Sequence, residues 1–117
     1  MNDRERLLTD IGILSELEDN WDGCSARKPF TNALRDIRLV VHMFKDNELE
    51  YCSVFPSCNG GVYLQYWRGK ISIVVWVDGY RVSGVLKNGW TGEKYYVQSM
   101  EQLSKKIDIV LEMPEKQ

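Results

Sequence analysis

Two short turns in the middle of the chain constrain its fold more than any other feature. Gly69-Lys70 and Asp78-Gly79 separate three apolar runs, which we predict to be strands at 62–68, 71–77 and 80–87. Asp-Gly between apolar runs is a strong local signal for a hairpin, and Gly-Lys fits a two-residue type II′ loop. The three segments are therefore predicted to form an antiparallel meander.

The same turns predict which residues face each other across the sheet. A two-residue loop at 69–70 places Tyr63 opposite Trp76. A two-residue loop at 78–79 places Trp76 opposite Arg81. Both turns then send the apolar side chains to one face, as a correct register must. That face is predicted to hold Val62, Leu64, Tyr66, Ile71, Ile73, Val75, Val77, Tyr80 and Val82.

Apolar residues at helical spacing occur in the sequence both before and after the predicted strands. They predict helices over 4–18, from about 32 to 45, and over 100–112. Thr31 is the predicted N-cap of the second helix. Ser99 and Gln102 form a predicted capping box for the third helix, and Pro114 is predicted to end it.

Two outer strands complete the predicted sheet. One runs over 51–55 and ends at Pro56, and the other is a short edge strand at 95–97. The chain is therefore predicted to be one α+β domain over 1–117. It has two N-terminal helices, a four- to five-stranded antiparallel meander sheet over about 51–97, and one C-terminal helix.

Composition and charge narrow the classes of function. The chain has 117 residues, 44% of them apolar and 27% charged, which is typical of a soluble globular protein. The formal net charge is −2, and basic residues are mixed with acidic ones, which disfavours a nucleic-acid partner. No apolar run approaches the ~20 residues of a membrane span, and the N-terminus lacks the apolar core of a signal peptide. We therefore expect a cytoplasmic protein with no membrane partner.

The cysteines and the single histidine argue against a metal or disulfide framework. Cys24, Cys52 and Cys58 are odd in number and form no CxxC pair, which favours free thiols in a reducing compartment. A disulfide between Cys52 and Cys58 across a turn is the alternative. His42 has no Cys or His at ligand spacing, so neither a metal nor a cofactor is expected.

The second face of the predicted sheet is the candidate binding site. Tyr63, Trp67, Trp76 and Arg81 lie on this face. Trp, Tyr and Arg dominate the hot spots of protein interfaces, and a cross-strand row of two rings and a guanidinium suits stacking and cation–π contacts. We predict that this face binds a protein partner or a second copy of the chain. The alternative is that a helix, or the loop that contains Trp90, covers it.

Two other functions are compatible with the sequence. Aromatic residues on a sheet beside Arg and Lys resemble a stacking platform for single-stranded nucleic acid. Acidic residues near the first turn, Glu16, Asp19 and Asp22, suggest a small hydrolase. Solvated helix ends account for these acids and for Glu48 and Glu50 more simply. No catalytic residue is predicted.

The segment Asn20-Trp21-Asp22-Gly23 is predicted to be a structural motif. Asn, Asp and Gly end helices and form tight turns, so the segment should stop the first helix. Trp21 should pack against the first or second helix at their crossing, and its removal should cost several kcal/mol.

This motif and later residues together resemble a family. The Asn20–Gly23 turn, Pro29, Pro56 and the stretch Gly60–Trp67 occur in that order. The chain resembles a group of small bacterial and phage proteins that share an Asn-Trp-Asp-Gly turn and a later Gly-Gly strand ending in an aromatic residue, although many have Tyr or Glu in place of Cys24. Some lie near mobile elements or toxin–antitoxin-like genes. The resemblance covers residues 7–67, implies no catalytic residue, and favours an antitoxin-like or immunity-like accessory protein.

Overall fold

The structure is a computed structural model, and it describes residues 2–112. Within that range the chain forms three α-helices, one 3₁₀ helix and five β-strands. In chain order these are α1 (Asp3–Leu14), α2 (Thr31–Val41), the 3₁₀ helix (Asp46–Tyr51), β1 (Cys52–Pro56), β2 (Val62–Arg68), β3 (Ile71–Val77), β4 (Val82–Asn88), β5 (Glu93–Val97) and α3 (Met100–Glu112). The predicted α+β fold is confirmed. Pro114 lies outside the described residues.

The five strands form one sheet in sequence order, and each strand is antiparallel to its neighbour. The β2–β3 hairpin has the predicted bounds and register, with Tyr63 opposite Trp76. Gly69 has a positive φ of 59° and Lys70 does not, as a type II′ turn requires. Because this hairpin depends on two adjacent turn residues, local chemistry determines its register.

All three helices pack on one face of the sheet, which we call the covered face. Their inward residues and those of the strands form a single hydrophobic cluster. The helices contribute Leu7, Ile11, Ala33, Leu34, Ile37, Val40, Val41, Leu103, Ile107 and Val110. The strands contribute Cys52, Val62, Leu64, Tyr66, Ile71, Ile73, Val75, Val77, Leu86 and Val97. Each buried aliphatic side chain contributes about 1.5–3 kcal/mol, so this cluster holds the two layers together.

The β3–β4 turn differs from the prediction. It contains four residues, 78–81, and pairs Val77 with Val82 and Trp76 with Ser83. The Asp78 side chain causes this, because its Oδ1 accepts the N–H groups of residues 80 and 81 at 2.8 and 2.7 Å and widens the loop. The two-residue shift preserves the faces of β4, since side chains alternate with a period of two.

Two predicted positions change as a result. Tyr80, which was placed in the core, lies in the loop and is 90% exposed. Arg81 also lies in the loop, so the predicted pairing of Arg81 with Trp76 is wrong. The rest of the predicted apolar face is inward, with Val82 half-buried at its edge.

The first two helices end about four residues earlier than predicted. At the end of α1, the N–H groups of Glu16 and Leu17 bond to carbonyls three residues back, at 3.0 and 3.2 Å. Such tighter bonds terminate an α-helix. Thr31 is the first helical residue rather than the N-cap, because Phe30 holds the cap position in an extended conformation. No helix in residues 2–112 is long and apolar enough to span a membrane.

The last strand and helix follow the prediction closely. Strand β5 begins at Glu93, two residues before the predicted start. The Ser99 hydroxyl accepts the N–H of Gln102 at 3.1 Å, as the capping box predicts. The Gln102 side chain accepts the N–H of Gln98, rather than that of Ser99, at 2.8 Å.

Candidate partner-binding face

The second face of the sheet is open, because every helix of residues 2–112 packs on the covered face. We call it the open face. It consists of Ser53, Phe55, Tyr63, Gln65, Trp67, Ser72, Val74, Trp76, Ser83, Val85, Lys87, Lys94 and Tyr96. The loop that contains Trp90 does not cover it, since the Trp90 ring packs against the core cluster. The alternative of a covered second face is therefore wrong.

Aromatic rings dominate the open face. Trp67 is 66% exposed, Trp76 44% and Tyr96 68%. The rings of Phe55 and Tyr63 stack with their centroids 5.2 Å apart, and Tyr63 pairs with Trp76 on the next strand. Large exposed apolar surfaces are uncommon on monomeric proteins and are typical of interaction sites.

The aromatic side chains are held in defined positions. The indole Nε1 of Trp67 donates to the Gly69 carbonyl oxygen at 3.0 Å, which orients the ring over the hairpin turn. The ammonium of Lys94 lies 5.0 Å from the centroid of the Tyr96 ring, within the range of a cation–π contact. Rings that are already ordered lose less conformational entropy when a partner binds.

Aliphatic and polar side chains link the two aromatic ends. A cross-strand row of Gln65, Val74, Val85 and Tyr96 runs through the middle of the sheet. Val74 and Val85 are half-buried by their neighbours. The open face therefore has an apolar centre with polar groups around it, which is the arrangement found in protein interfaces.

The charges on the open face are all positive, although the chain has a formal net charge of −2. Its strand residues include Lys87 and Lys94 and no carboxylate. Arg81 stands beside it, in the β3–β4 loop. The face therefore suits a partner that carries negative charge.

The four predicted site residues do not form one cluster. Tyr63 and Trp76 are neighbours, and Arg81 lines a cleft together with Trp76. Trp67 lies four residues along β2 from Tyr63, which is roughly 14 Å at 3.4 Å per residue. Sequence reasoning missed Phe55 and Tyr96, although both follow from the alternation of β1 and β5 once their register is known.

The motif Asn20–Gly23 forms a compact turn, as predicted, but it does not stop the first helix, because α1 already ends at Leu14. Asn20 has a positive φ of 65° and Gly23 one of 75°. Oδ1 of Asp22 accepts the N–H groups of Cys24 and Ala26 at 2.8 and 3.0 Å. These backbone hydrogen bonds lower the pKa of Asp22 below its usual value. Asp22 therefore serves as a hydrogen-bond acceptor for its own loop.

Trp21 does not wedge between the helices, so that prediction is wrong. The ring is half-buried and lies outside the core cluster and the residues packed against it. Its Nε1 donates to the Arg27 carbonyl oxygen at 2.8 Å, which closes the loop on itself. Arg27 in turn forms a parallel bridge with Asn59, which attaches the loop to the sheet. Trp21 therefore closes its own loop through a backbone carbonyl instead of packing between two helices.

The acidic residues proposed for a hydrolase are exposed. Glu16 is on the surface, and Asp19 accepts the N–H of Lys28 at 3.1 Å through Oδ1. Asp19 and Asp22 thus act as turn acceptors, which favours their structural role. In residues 2–112, no group of three or more His, Cys, Asp or Glu side chains is arranged to hold a metal ion.

The histidine and the cysteines lie apart from the open face. His42 Nδ1 contacts Nη1 of Arg4 at 2.9 Å, and because Arg only donates, this nitrogen accepts. All three cysteines are free thiols. Cys52 is buried, which raises its pKa to about 12, so its thiol is inert at neutral pH.

The burial of the Glu48 carboxylate was predicted wrongly from the sequence. Glu48 was expected at a solvated helix end, but it is 7% exposed beneath the sheet. Its carboxylate accepts the hydroxyl of Tyr66 and Nη1 of Arg68, the latter at 3.1 Å. Burial and then the Glu48 hydrogen bond raise the pKa of Tyr66 above its usual range. A carboxylate that is paired in this way stabilises the covered side of the sheet.

Comparison of the chain with protein-family models, with curated proteins and with solved structures finds no match. The case for a function therefore depends on the chemistry of the open face.

Proposed function

We propose that this protein is a non-enzymatic interaction module that binds a protein partner through the open face. The observation that carries the proposal is the exposure of Trp67, Trp76 and Tyr96 on a sheet face that no helix of residues 2–112 covers. Aromatic residues in the centre of an interface contribute most of its binding energy. Selection for solubility alone does not favour such a surface.

The size of the open face fits a specific interface. Five strands about 4.8 Å apart, with five to seven residues at about 3.4 Å each, give a projected area of about 500 Å². The accessible area is larger because the side chains stand above the sheet. It approaches the roughly 800 Å² that each partner contributes to an interface of standard size.

Charge selects the kind of partner. Lys87 and Lys94 lie on the open face with no carboxylate beside them on the same face. A second copy of the chain would bring the same cations and no acid to pair with them, and an unpaired charge is costly to bury. A partner segment with Asp or Glu among apolar side chains complements the face better. The homodimer is the alternative within this proposal.

The biological setting we propose is that of an antitoxin-like or immunity-like accessory protein. The resemblance carried by the Asn20–Gly23 turn and the Gly60–Trp67 stretch supports this setting. A small domain with one rigid, open sheet face fits a role that consists of binding a single protein.

A single-stranded nucleic acid is the second candidate, and one observation favours it. Five aromatic side chains share the open face with lysines and with no carboxylate, as on a stacking platform for bases. The net charge of −2 opposes this function, since phosphate contacts require several cations. The two candidates differ in salt dependence, because nucleic-acid affinity falls steeply as salt rises.

Selection of peptides from a random displayed library tests the proposal. We expect the selected peptides to be rich in Asp and Glu next to aromatic or aliphatic residues. Trp76→Ala should weaken their binding about tenfold or more, since central aromatic residues act as hot spots. Leu39→Ala, a half-exposed change on α2, is the matched control and should leave binding unchanged.

Three outcomes would overturn the proposal of an acidic protein partner. Selected peptides that bind Trp76→Ala as well as the parent protein would show that the open face is not the site. Tight binding of oligothymidine with a steep salt dependence would favour the nucleic-acid function. Dimerisation in sedimentation experiments that Trp76→Ala abolishes would identify a second copy of the chain as the occupant.

A further inference from the structure

A cleft of about 510 Å³ lies at one end of the sheet, next to Trp76. We call it the end cleft. Its side chains come from the β1–β2 loop, from β3, from the β3–β4 loop, from the start of β4 and from the residue after β5. They include Ser57, Asn59, Trp76, Arg81, Ser83 and Gln98. The cleft joins the open face through Trp76, which belongs to both.

Gly61 lets the backbone of neighbouring segments pack closely at one wall of the end cleft. A Cβ at Gly61 would lie 2.8 Å from the carbonyl oxygen of Val77 and 3.2 Å from Oδ1 of Asn59. Asn59 Oδ1 also accepts the N–H of Gly61 at 3.0 Å, which fixes the loop against the strands. This wall of the cleft is therefore close-packed backbone, which changes little when a ligand enters.

Arg81 supplies the positive charge of the end cleft. Its backbone is fixed, because its N–H donates to Oδ1 of Asp78 at 2.7 Å. Within residues 2–112 the Arg81 guanidinium makes no hydrogen bond and no ion pair. Asp78 also lines the cleft, and the backbone N–H groups of residues 81 and 80, followed by the Arg81 charge, lower the pKa of its carboxyl. Asp78 Oδ1 accepts those two N–H groups, and the carboxylate is not within ion-pair distance of the guanidinium. The donors of the guanidinium are thus available to a ligand.

Apart from Arg81 and Asp78, the polar side chains that line the end cleft are neutral. The hydroxyls of Ser57 and Ser83 and the side-chain amide of Gln98 make no hydrogen bond within the described part of the chain. Because the Asp78 carboxylate is hydrogen-bonded to its own loop, the Arg81 guanidinium, the neutral donors and the indole wall together match a carboxylate on a short aliphatic chain. Arg binds a carboxylate through parallel hydrogen bonds, while the indole packs on methylene groups.

We infer that the end cleft binds the carboxylate of an acidic side chain from the partner, with Arg81 as its ion-pair partner and Trp76 as the wall for its methylene groups. The inference rests on the proposed function and gives the partner an anchor point. It also places the anchor at the edge of the open face rather than at its centre.

Titration of the ¹⁵N-labelled protein with N-acetylglutamate tests the inference, with N-acetylglutamine as the uncharged analogue. We expect saturable shifts at the Trp76 indole N–H and the Gln98 side-chain amide with the first compound only. Arg81→Gln should weaken binding about tenfold, as the loss of a charge-assisted hydrogen bond does. Lys45→Gln removes the same charge from an exposed site outside the cleft and the open face and should leave the affinity unchanged.

Equal shifts with N-acetylglutamine, or equal effects of Arg81→Gln and Lys45→Gln, would overturn the inference. Tighter binding of inorganic phosphate than of N-acetylglutamate would overturn the carboxylate assignment. The inference and the proposed function fail separately. If the open face selects acidic peptides while N-acetylglutamate does not bind, only the cleft is wrong. If N-acetylglutamate binds and no peptide depends on Trp76, only the partner-binding function is wrong.

Discussion

The two faces of the sheet consist of alternate residues of the same strands, yet one face is buried under the helices and the other is exposed. On β3, Ile71, Ile73 and Val75 are fully buried under the helices, while Trp76 remains 44% exposed on the other side. The covered face holds the fold together through apolar packing. If the open face serves binding, as we propose, it should contribute less to stability than its aromatic content suggests. Substitutions on the two faces should therefore affect stability and binding differently.

The largest difference is expected between adjacent residues of β3. Ile73→Ala removes a fully buried side chain and should lower the free energy of unfolding by about 2–5 kcal/mol. Val74→Ala, on the open face, should cost less than about 1 kcal/mol. Urea denaturation followed by circular dichroism measures both. Equal losses would mean that the two faces contribute equally to stability.

Alkaline pH should also affect the covered face selectively. Burial raises the pKa of Cys52 to about 12 from an ordinary thiol value of 9.0, so the folded state keeps a proton that the unfolded chain loses. The contribution of Cys52 is therefore complete below pH 9 and is lost as pH rises toward 12, at about 1.4 kcal/mol per pH unit. The raised pKa of Tyr66 acts in the same direction.

Denaturation curves measured between pH 8 and pH 11 test this slope. Cys52→Ala should flatten it, and Cys58→Ser, at an exposed thiol, should not change it. A slope that is unaffected by Cys52→Ala would show that another group controls the alkaline transition.

Two tyrosines of β2 form the next matched pair. Tyr66→Phe removes the hydroxyl that donates to the buried carboxylate of Glu48, and should cost about 1–3 kcal/mol. Tyr63→Phe removes a hydroxyl from the open face and should change stability by less than about 0.5 kcal/mol. Thermal unfolding at neutral pH compares them. A larger effect at Tyr63 would contradict the assignment of the faces.

Trp21 belongs to neither face, and its removal should have a smaller effect than its size suggests. Because the ring lies outside the core, Trp21→Ala loses one hydrogen bond and partial burial, a cost of about 1 kcal/mol. The change should act locally and speed tryptic cleavage at Arg27 and Lys28. Cleavage that stays at the parent rate would show that Trp21 does not close the loop.

The smallest effect is expected at Trp67, whose ring is 66% exposed. Trp67→Ala should change the free energy of unfolding by less than about 0.5 kcal/mol. Loss of peptide binding by this variant would then report on the open face rather than on unfolding. A large loss of stability would mean that the ring supports the hairpin.

The sequence predicts the elements that local chemistry determines. The β2–β3 hairpin and α3 follow from a two-residue turn and from helical periodicity, and both lie where expected. The length of the β3–β4 turn was predicted wrongly because the Asp78 side chain accepts two N–H groups of the loop. The spacing of apolar residues does not distinguish a two-residue loop from a four-residue loop. A shift of two residues leaves the apolar pattern unchanged, so the pattern alone does not detect it.

The exposure of the candidate site was not predictable from any single segment of the sequence. Whether the second face is open follows from where all three helices pack, which is a tertiary outcome. The burial of Glu48 has the same origin, since it requires Tyr66 and Arg68 from a different strand. Tyr63, Trp67 and Trp76 were predicted on the right face because alternation is local, whereas Arg81 depended on the loop.

The parallel bridge between Arg27 and Asn59 has a consequence for the order of folding. Every other strand pairing joins consecutive strands, so the meander closes short loops at low entropic cost. The bridge joins residues that are 32 positions apart along the chain. Contacts of high sequence separation are slow to form. The meander is therefore expected to form first, and the loop that contains Trp21 to dock onto it last, which makes residues 19–28 the segment whose opening requires the least unfolding.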